Sequence, residues 1–265
     1  MSKKICRFIN PKNGETSYGL INDATVYPVT AMQIFAQKES PAAHAWSVEG
    51  VALSEVKLLA PVKPSKIVCV GRNYRDHAAE LGNAMPDEPL LFLKPPSSIV
   101  GHEAAIELPS VSARVEHEGE LGVVIGRRAH RLSDSENSLD YVLGYTCVND
   151  VTARDLQRRD VQFTRAKSFD TFCPVGPYIV TGIDPFDLQV ETRVNGEVRQ
   201  RGRTSAMAFP VPYLIRYISH IMTLEAGDVI STGTPAGVGP LADSDVCEVE
   251  VEGVGTLGNP VRAGE

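Results

Sequence analysis

The chain has 265 residues, 43% of them hydrophobic and 22% charged, which is enough for one large core or a core with a small appendage. That balance excludes a disordered or fibrous chain, and no apolar run approaches the ~20 residues needed to span a bilayer. With 33 acids against 26 bases the net charge is −7, which argues against a nucleic-acid partner, since such proteins release counterions from a basic face.

The opening Met1-Ser2-Lys3-Lys4-Ile5-Cys6 is basic but lacks the apolar stretch of a secretion signal, so the whole chain reads as mature, soluble protein. Alternating runs at Ile5–Ile9, Ser17–Ile21 and Thr25–Val29, separated by turn residues, predict a small β-rich leader followed by a helix near Ala31–Lys38. Pro61 and Pro64 break the pattern, because paired prolines continue neither a helix nor a central strand. The expected division is therefore a small domain over residues 1–60 and a main domain over 61–265, whose first strand begins near Lys66.

Beyond that break, strands are expected at Lys66–Val70, Leu90–Leu93, Leu121–Ile125, Val142–Val148, Tyr178–Val180, Gln189–Val194, Val229–Thr232 and Val246–Val251. Helical spacing is confined to Tyr74–Leu81, Ala153–Arg159 and Val211–Ile221, so the fold class is mixed α+β and β-rich, not a doubly wound sheet. Gly253-Val254-Gly255-Thr256-Leu257-Gly258 matches a dinucleotide fingerprint only formally. Seven residues follow it, too few for the required helix, and it is read as a strand-end turn. The five cysteines form no C-x-x-C pair, so neither a disulfide framework nor a zinc knuckle is expected and a reducing cytoplasm fits.

Three segments carry candidate chemistry. In Glu116-His117-Glu118-Gly119-Glu120-Leu121 the period of two puts three carboxylates on one strand face, where they repel unless a cation or solvent relieves them. Hard oxygen donors of this kind suit magnesium, manganese or calcium, and the ordinary alternative is an edge strand blunted with acids. In Asn149-Asp150-Val151-Thr152-Ala153-Arg154-Asp155-Leu156-Gln157 a strand ends at an acid that can supply a third ligand or cap a helix. Arg154 and Gln157, four and seven residues later, are expected on one helical side, with Lys167 following. His77 and Glu80 stand at i, i+3 after a buried strand, a pairing that can activate water. The glycine-rich stretch Ser231–Gly239 has backbone N–H groups and hydroxyls suited to a carboxylate, or is merely a tight connection.

In this order these segments closely resemble the fumarylacetoacetate hydrolase family. The shared motifs are Gly71-Arg72-Asn73-Tyr74 with His77, Phe92-Leu93-Lys94-Pro95, Glu118-Gly119-Glu120-Leu121, Asn149-Asp150-Val151-Thr152-Ala153-Arg154-Asp155, Ala166-Lys167-Ser168-Phe169, Thr232-Gly233-Thr234-Pro235 and the stretch from Gly253 to Asn259. The resemblance implies a β-roll catalytic domain with a small N-terminal domain, a homodimer, and magnesium or manganese held by Glu118, Glu120 and Asp150. It implies that His77 and Glu80 activate water, that Lys167 steadies developing charge, and that Arg72, Lys94, Arg154, Gln157 and Thr234 hold or polarise a small 2-oxo or 2-enol carboxylate. Glu116, outside the E-x-E pair, is assigned to the scaffold. The implied reaction is hydrolysis of a carbon–carbon bond in a 2,4-dioxo acid such as an acylpyruvate, through a metal-bound pyruvate enolate. Isomerisation of a 2-hydroxydienoate and decarboxylation of a 2-oxo diacid use the same site, and a non-catalytic carboxylate binder is the rival of another class.

Overall fold

The run Leu121-Gly122-Val123-Val124-Ile125 is apolar at successive positions because the strand that contains it is buried on both faces. In the computed structural model, which describes residues 2–35 and 48–264, Gly119–Ile125 lies inside a 12-stranded sheet. Along the main path that sheet runs Val51–Ala52, Thr25–Val29, Thr16–Asn22, Lys4–Ile9, Cys173–Val180, Val142–Asn149, Gly119–Ile125, Val229–Ser231, Ile67–Gly71 and Leu90–Lys94. Side chains alternate across it as the pleat requires. Leu121, Val123 and Ile125 face one core with Val190, Val249, Val251 and Leu257, whereas Val124 joins Ile67, Val148 and Val175 on the other face.

The first core is closed by a five-stranded sheet ordered Glu197–Arg203, Gln189–Val194, Val246–Val251, Gly255–Ala263 and Ile106–Leu108, and by the helix Val211–Ile221. That helix starts after Pro210 and buries Val211, Leu214, Ile215 and Ile218, spaced at i, i+3, i+4 and i+7 as an amphipathic helix requires. The fold is β-rich with few helices, as expected from the spacing of apolar residues. Among the described residues no helix is long and apolar enough to cross a membrane.

The leader strands match their expected positions, and the helix expected over Ala31–Lys38 is seen as Ala31–Phe35, its last three positions lying outside the described residues. Pairing continues across the expected boundary: Lys4 lies opposite Val180 and Ile5 opposite Ile179, so leader and main region share one sheet. Other differences are local. The stretch read as a strand-end turn holds a turn only at its start, and Gly255–Ala263 is a full strand paired with Val246–Val251. The strand Glu197–Arg203 was hidden by its six polar or glycine positions among seven, and the short helix Thr164–Lys167 by its length of four residues.

Candidate metal centre and active site

Antiparallel pairing places the acids. Gly119 lies opposite Asn149 and Glu120 opposite Val148, so the next step along this ladder sets Glu118 against Asp150, just past the strand end. Glu118 itself falls at the corner between Val115–His117, which belongs to a separate three-stranded sheet, and Gly119–Ile125. Glu118 and Glu120 share a side by the period of two. Candidate ligand atoms of Glu118, Glu120 and Asp150 all lie within 4.8 Å of one another, and all three residues are buried. Asp150 is not a helix cap: the helix Arg154–Arg159 begins four residues later, after the bridge strand Thr152–Ala153. Arg154 and Gln157 meet on that helix without sharing it with Asp150.

Three buried cations surround the acids. Lys167 Nζ donates to Glu118 Oε2 at 2.8 Å and Asp150 Oδ2 at 2.6 Å, while Lys94 Nζ donates to Asp150 Oδ1 at 2.5 Å and to the Val151 carbonyl. Arg154 donates through Nη2 to Glu118 and through Nε to Glu116 Oε2 at 2.6 Å. Glu116 also accepts from Arg114 Nε at 2.5 Å, so it is bonded by two arginines.

The electrostatics divide the acids. Burial works to raise the Glu118 carboxyl, but the charges of Lys167 and Arg154 outweigh it and hold it below the ordinary range. For Glu120 burial is reinforced by Asp150 and Glu118, and its pKa is pushed up to about 8 despite bonds from Ser231 Oγ and the Gly233 N–H. A divalent cation held by these three carboxylates would relieve this repulsion. The donor set of three buried carboxylates, with no cysteine or histidine among them, fits magnesium or manganese by its chemistry.

A cavity of about 270 Å³ opens on the acids and is lined by His77, Arg72, Gln157, Arg154, Lys167 and Thr234 among others. Lys94 and Glu80 are not part of its wall: Lys94 sits behind Asp150, and Glu80 sits behind His77, whose Nδ1 is 3.5 Å from Glu80 Oε2. His77 is buried in the helix Arg75–Glu80, and burial lowers its pKa against the raising effect of Glu118. Arg72 adopts φ +56° at the end of the strand Ile67–Gly71, which aims the chain into the cavity. Arg154 Nη1 donates to Gln157 Oε1 at 2.5 Å, which holds two cavity-lining side chains together and orients the Gln157 amide.

The loop after Val229–Ser231 holds carboxylates, but they are the protein's own. Gly233 (φ +98°) donates to Glu120 Oε2 at 2.8 Å, and Gly237 (φ +101°) donates to both Glu80 oxygens at 3.1 Å. A Cβ at Gly233 would stand 2.7 Å from Asn73 Cβ, and one at Gly237 only 2.1 Å from the Arg199 carbonyl, so neither accepts a side chain. Sequence reasoning missed Phe163, Arg158 and Asn83 in the wall. Phe163 packs edge-on against Phe92 at 5.6 Å, and Phe92 lies under the Lys167 ammonium at 4.9 Å, a contact that no spacing rule signals.

Comparison with known proteins agrees with this geometry. A family model described as fumarylacetoacetate (FAA) hydrolase, C-terminal, matches residues 66–262, and one described as Rv2993c-like, N-terminal, matches residues 3–61. Oxaloacetate tautomerase YisK of Bacillus subtilis is 49% identical over 225 residues, covering 79% of this chain and 74% of that protein. The crystal structure of 5-carboxymethyl-2-hydroxymuconate delta-isomerase from Mycobacterium smegmatis superposes with a TM-score of 0.88 at 42% identity, covering 98% of this chain and 100% of that one. Maleylpyruvate hydrolase from Sphingobium superposes at 0.83 with 31% identity, covering 98% and 100%.

Proposed function

The chain belongs to the fumarylacetoacetate hydrolase family and is an enzyme, and from that premise we propose that it moves a proton between carbon and oxygen in 2-oxo and 2-enol carboxylates, as a tautomerase or isomerase. The observation that carries this reading is a buried His77 in the same cavity wall as Glu118, Glu120 and Asp150. Relatives named as a tautomerase and an isomerase, at 49% and 42% identity, support it. The non-catalytic alternative falls with membership of a family of enzymes.

A divalent cation held by Glu118, Glu120 and Asp150 would supply Lewis-acid polarisation of the substrate's 2-oxygen. The protein's own groups do the remainder. His77, with Nδ1 toward Glu80, has its Nε2 to take a proton from the carbon beside the 2-oxo group and return it elsewhere. Lys167 stays charged, because Asp150 and Glu118 outweigh the desolvation that works against its ammonium, and it adds positive potential where oxyanion character develops. Gln157, oriented by Arg154, donates to the substrate, while Phe92 and Phe163 keep water from one wall.

A second reading, hydrolysis of a carbon–carbon bond in a 2,4-dioxo acid, is favoured by Glu80, because a carboxylate behind an imidazole suits activation of water. Magnesium or manganese as the metal, a homodimeric assembly, a cytoplasmic setting and a division near Pro61 belong to the same proposal. The decisive experiment presents magnesium-loaded protein with enol-oxaloacetate, a hydroxymuconate-type dienoate and acylpyruvates. Proton exchange or isomer formation without fragmentation supports the first reading, fragmentation the second, and inertness toward all of them overturns both.

A further inference from the structure

The strand Gly119–Ile125 pairs with Val229–Ser231 only over Gly122–Val124, so its first residues have no strand neighbour on that side. Side chains take over the bonding there. The same register carried on from Gly122 and Ser231 sets Gly119 opposite Thr234, whose hydroxyl donates to the Gly119 carbonyl at 2.8 Å, while the Gly119 N–H donates to Gln200 Oε1 at 3.0 Å. That carbonyl and that N–H belong to the two peptide units that join Glu118 to Glu120.

Gln200, wholly buried in the strand Glu197–Arg203, uses every polar site of its amide. Its Oε1 also lies 2.9 Å from His117 Nδ1, so it bonds the residues on both sides of Glu118, and His117 carries its proton on Nδ1. Its Nε2 donates to Thr234 Oγ1 at 2.7 Å and to the Pro235 carbonyl at 2.8 Å, in the loop whose Gly233 N–H holds Glu120. One amide thus ties the corner that carries Glu118 to the loop that orients Glu120. Gln200 is not part of the cavity wall, so its effect on the site passes through these four bonds.

We infer that Gln200 is a positioning residue of the candidate metal centre, holding Glu118 and Glu120 at the spacing that one divalent cation needs. This rests on the metal-centre reading above and deepens it. The two carboxylates repel each other, and a backbone free to pivot at Gly119 would let them part; the bonds to one buried amide oppose that pivot. Groups that orient metal-ligating side chains in this way typically govern affinity by about 10–100-fold.

Magnesium calorimetry on the full chain, with urea unfolding of the metal-free protein alongside, tests it. Gln200→Met keeps the length of the side chain but removes the amide, and should weaken magnesium binding by about 10-fold or more. Thr204 supplies the comparison: it is buried just after the same strand, its hydroxyl donates to the Pro185 carbonyl and accepts the Leu188 N–H, and none of the three lines the cavity. Thr204→Val should lower the urea midpoint as Gln200→Met does, yet keep magnesium affinity within about 2-fold of wild type. Wild-type affinity in Gln200→Met, or an equal loss of affinity in Thr204→Val, reduces Gln200 to a stability role and overturns the inference. Should Gln200→Met not fold, Thr234 decides. Thr234→Val loses the bond to the Gly119 carbonyl and should weaken magnesium by about 5-fold, with Thr234→Ser near wild type; wild-type affinity in Thr234→Val, or the same loss in Thr234→Ser, overturns the inference. Wild type that binds neither magnesium nor manganese overturns the metal-centre reading and this inference with it.

Discussion

Asp150 donates its backbone N–H to the carbonyl oxygen of Glu118 across 2.8 Å, one step beyond the paired residues Gly119 and Asn149. The bond ties two acidic residues together where two strands end, so their carboxylates face one another by construction. Backbone pairing, and not side-chain attraction, brings these like charges to one point.

Metal binding is expected to depend on this arrangement as a whole. Glu120→Ala should abolish magnesium binding in calorimetry, because Glu120 is the acid left without a cationic partner and supplies the unneutralised charge. Undiminished binding in that variant would move the metal elsewhere.

Metal-free protein should lose stability as pH rises. Folded Glu120 titrates at about 8, raised first by burial and then by Asp150 and Glu118, against an ordinary value of 4.5. Between those values the folded chain binds more protons than the unfolded one, so stability falls across the window, on the order of 5 kcal/mol in full. Thermal melts in chelator should show this slope, and saturating magnesium or Glu120→Gln should remove it.

Loss of the base should separate chemistry from binding. His77→Ala and Glu80→Ala are each expected to lower turnover by about 100-fold while magnesium affinity stays near wild type. Burial lowers the His77 pKa, so the acid limb of kcat/KM should fall below the ordinary imidazole value of 6.5 and disappear in His77→Ala. A limb that persists would assign it to another group.

Arg154 should prove structural as well as functional. Arg154→Met leaves Glu116 and Glu118 buried with one partner fewer each, and a loss of about 3–5 kcal/mol in urea unfolding is expected. Pairing it with Glu116→Gln should recover part of that loss, since the second change removes the stranded charge.

Substrate recognition should need a free carboxylate. A methyl ester of the 1-carboxylate is expected to lose at least about 10-fold in kcat/KM, because charge-assisted bonds to the site are lost, and oxalate should inhibit at millimolar concentration. An ester processed as fast as its acid would overturn this mode of binding.

Much of the site was legible because its residues sit in local patterns: Glu118 and Glu120 by the strand period, His77 and Glu80 by helical spacing, and Asp150 as an acid closing a strand. What could not be read is contact made through register between distant segments. Nothing local reveals that Lys94 reaches Asp150, 56 positions away, or that Gln200 reaches Thr234. Nor does spacing reveal that Arg154, which lines the cavity as a residue expected to meet substrate, also bonds Glu116, Glu118 and Gln157 through three of its five N–H groups. The leader strands were legible as strands, whereas their joining of the main sheet rests on pairing with residues some 175 positions later, Lys4 with Val180.

That shared sheet makes the leader a guard against misassembly. Without it, Ile179 and Val180 would present open backbone groups to any neighbouring strand, and Ile5, Leu20, Val29 and Ile34 would leave the core they share with Ile67 and Val175. An uncovered apolar strand edge is a template for pairing with other chains. A fragment beginning at Lys66 keeps every residue of the acidic cluster and still invites intermolecular strand addition, so trimming this chain to its catalytic motifs would exchange a monomeric folding problem for an aggregation problem.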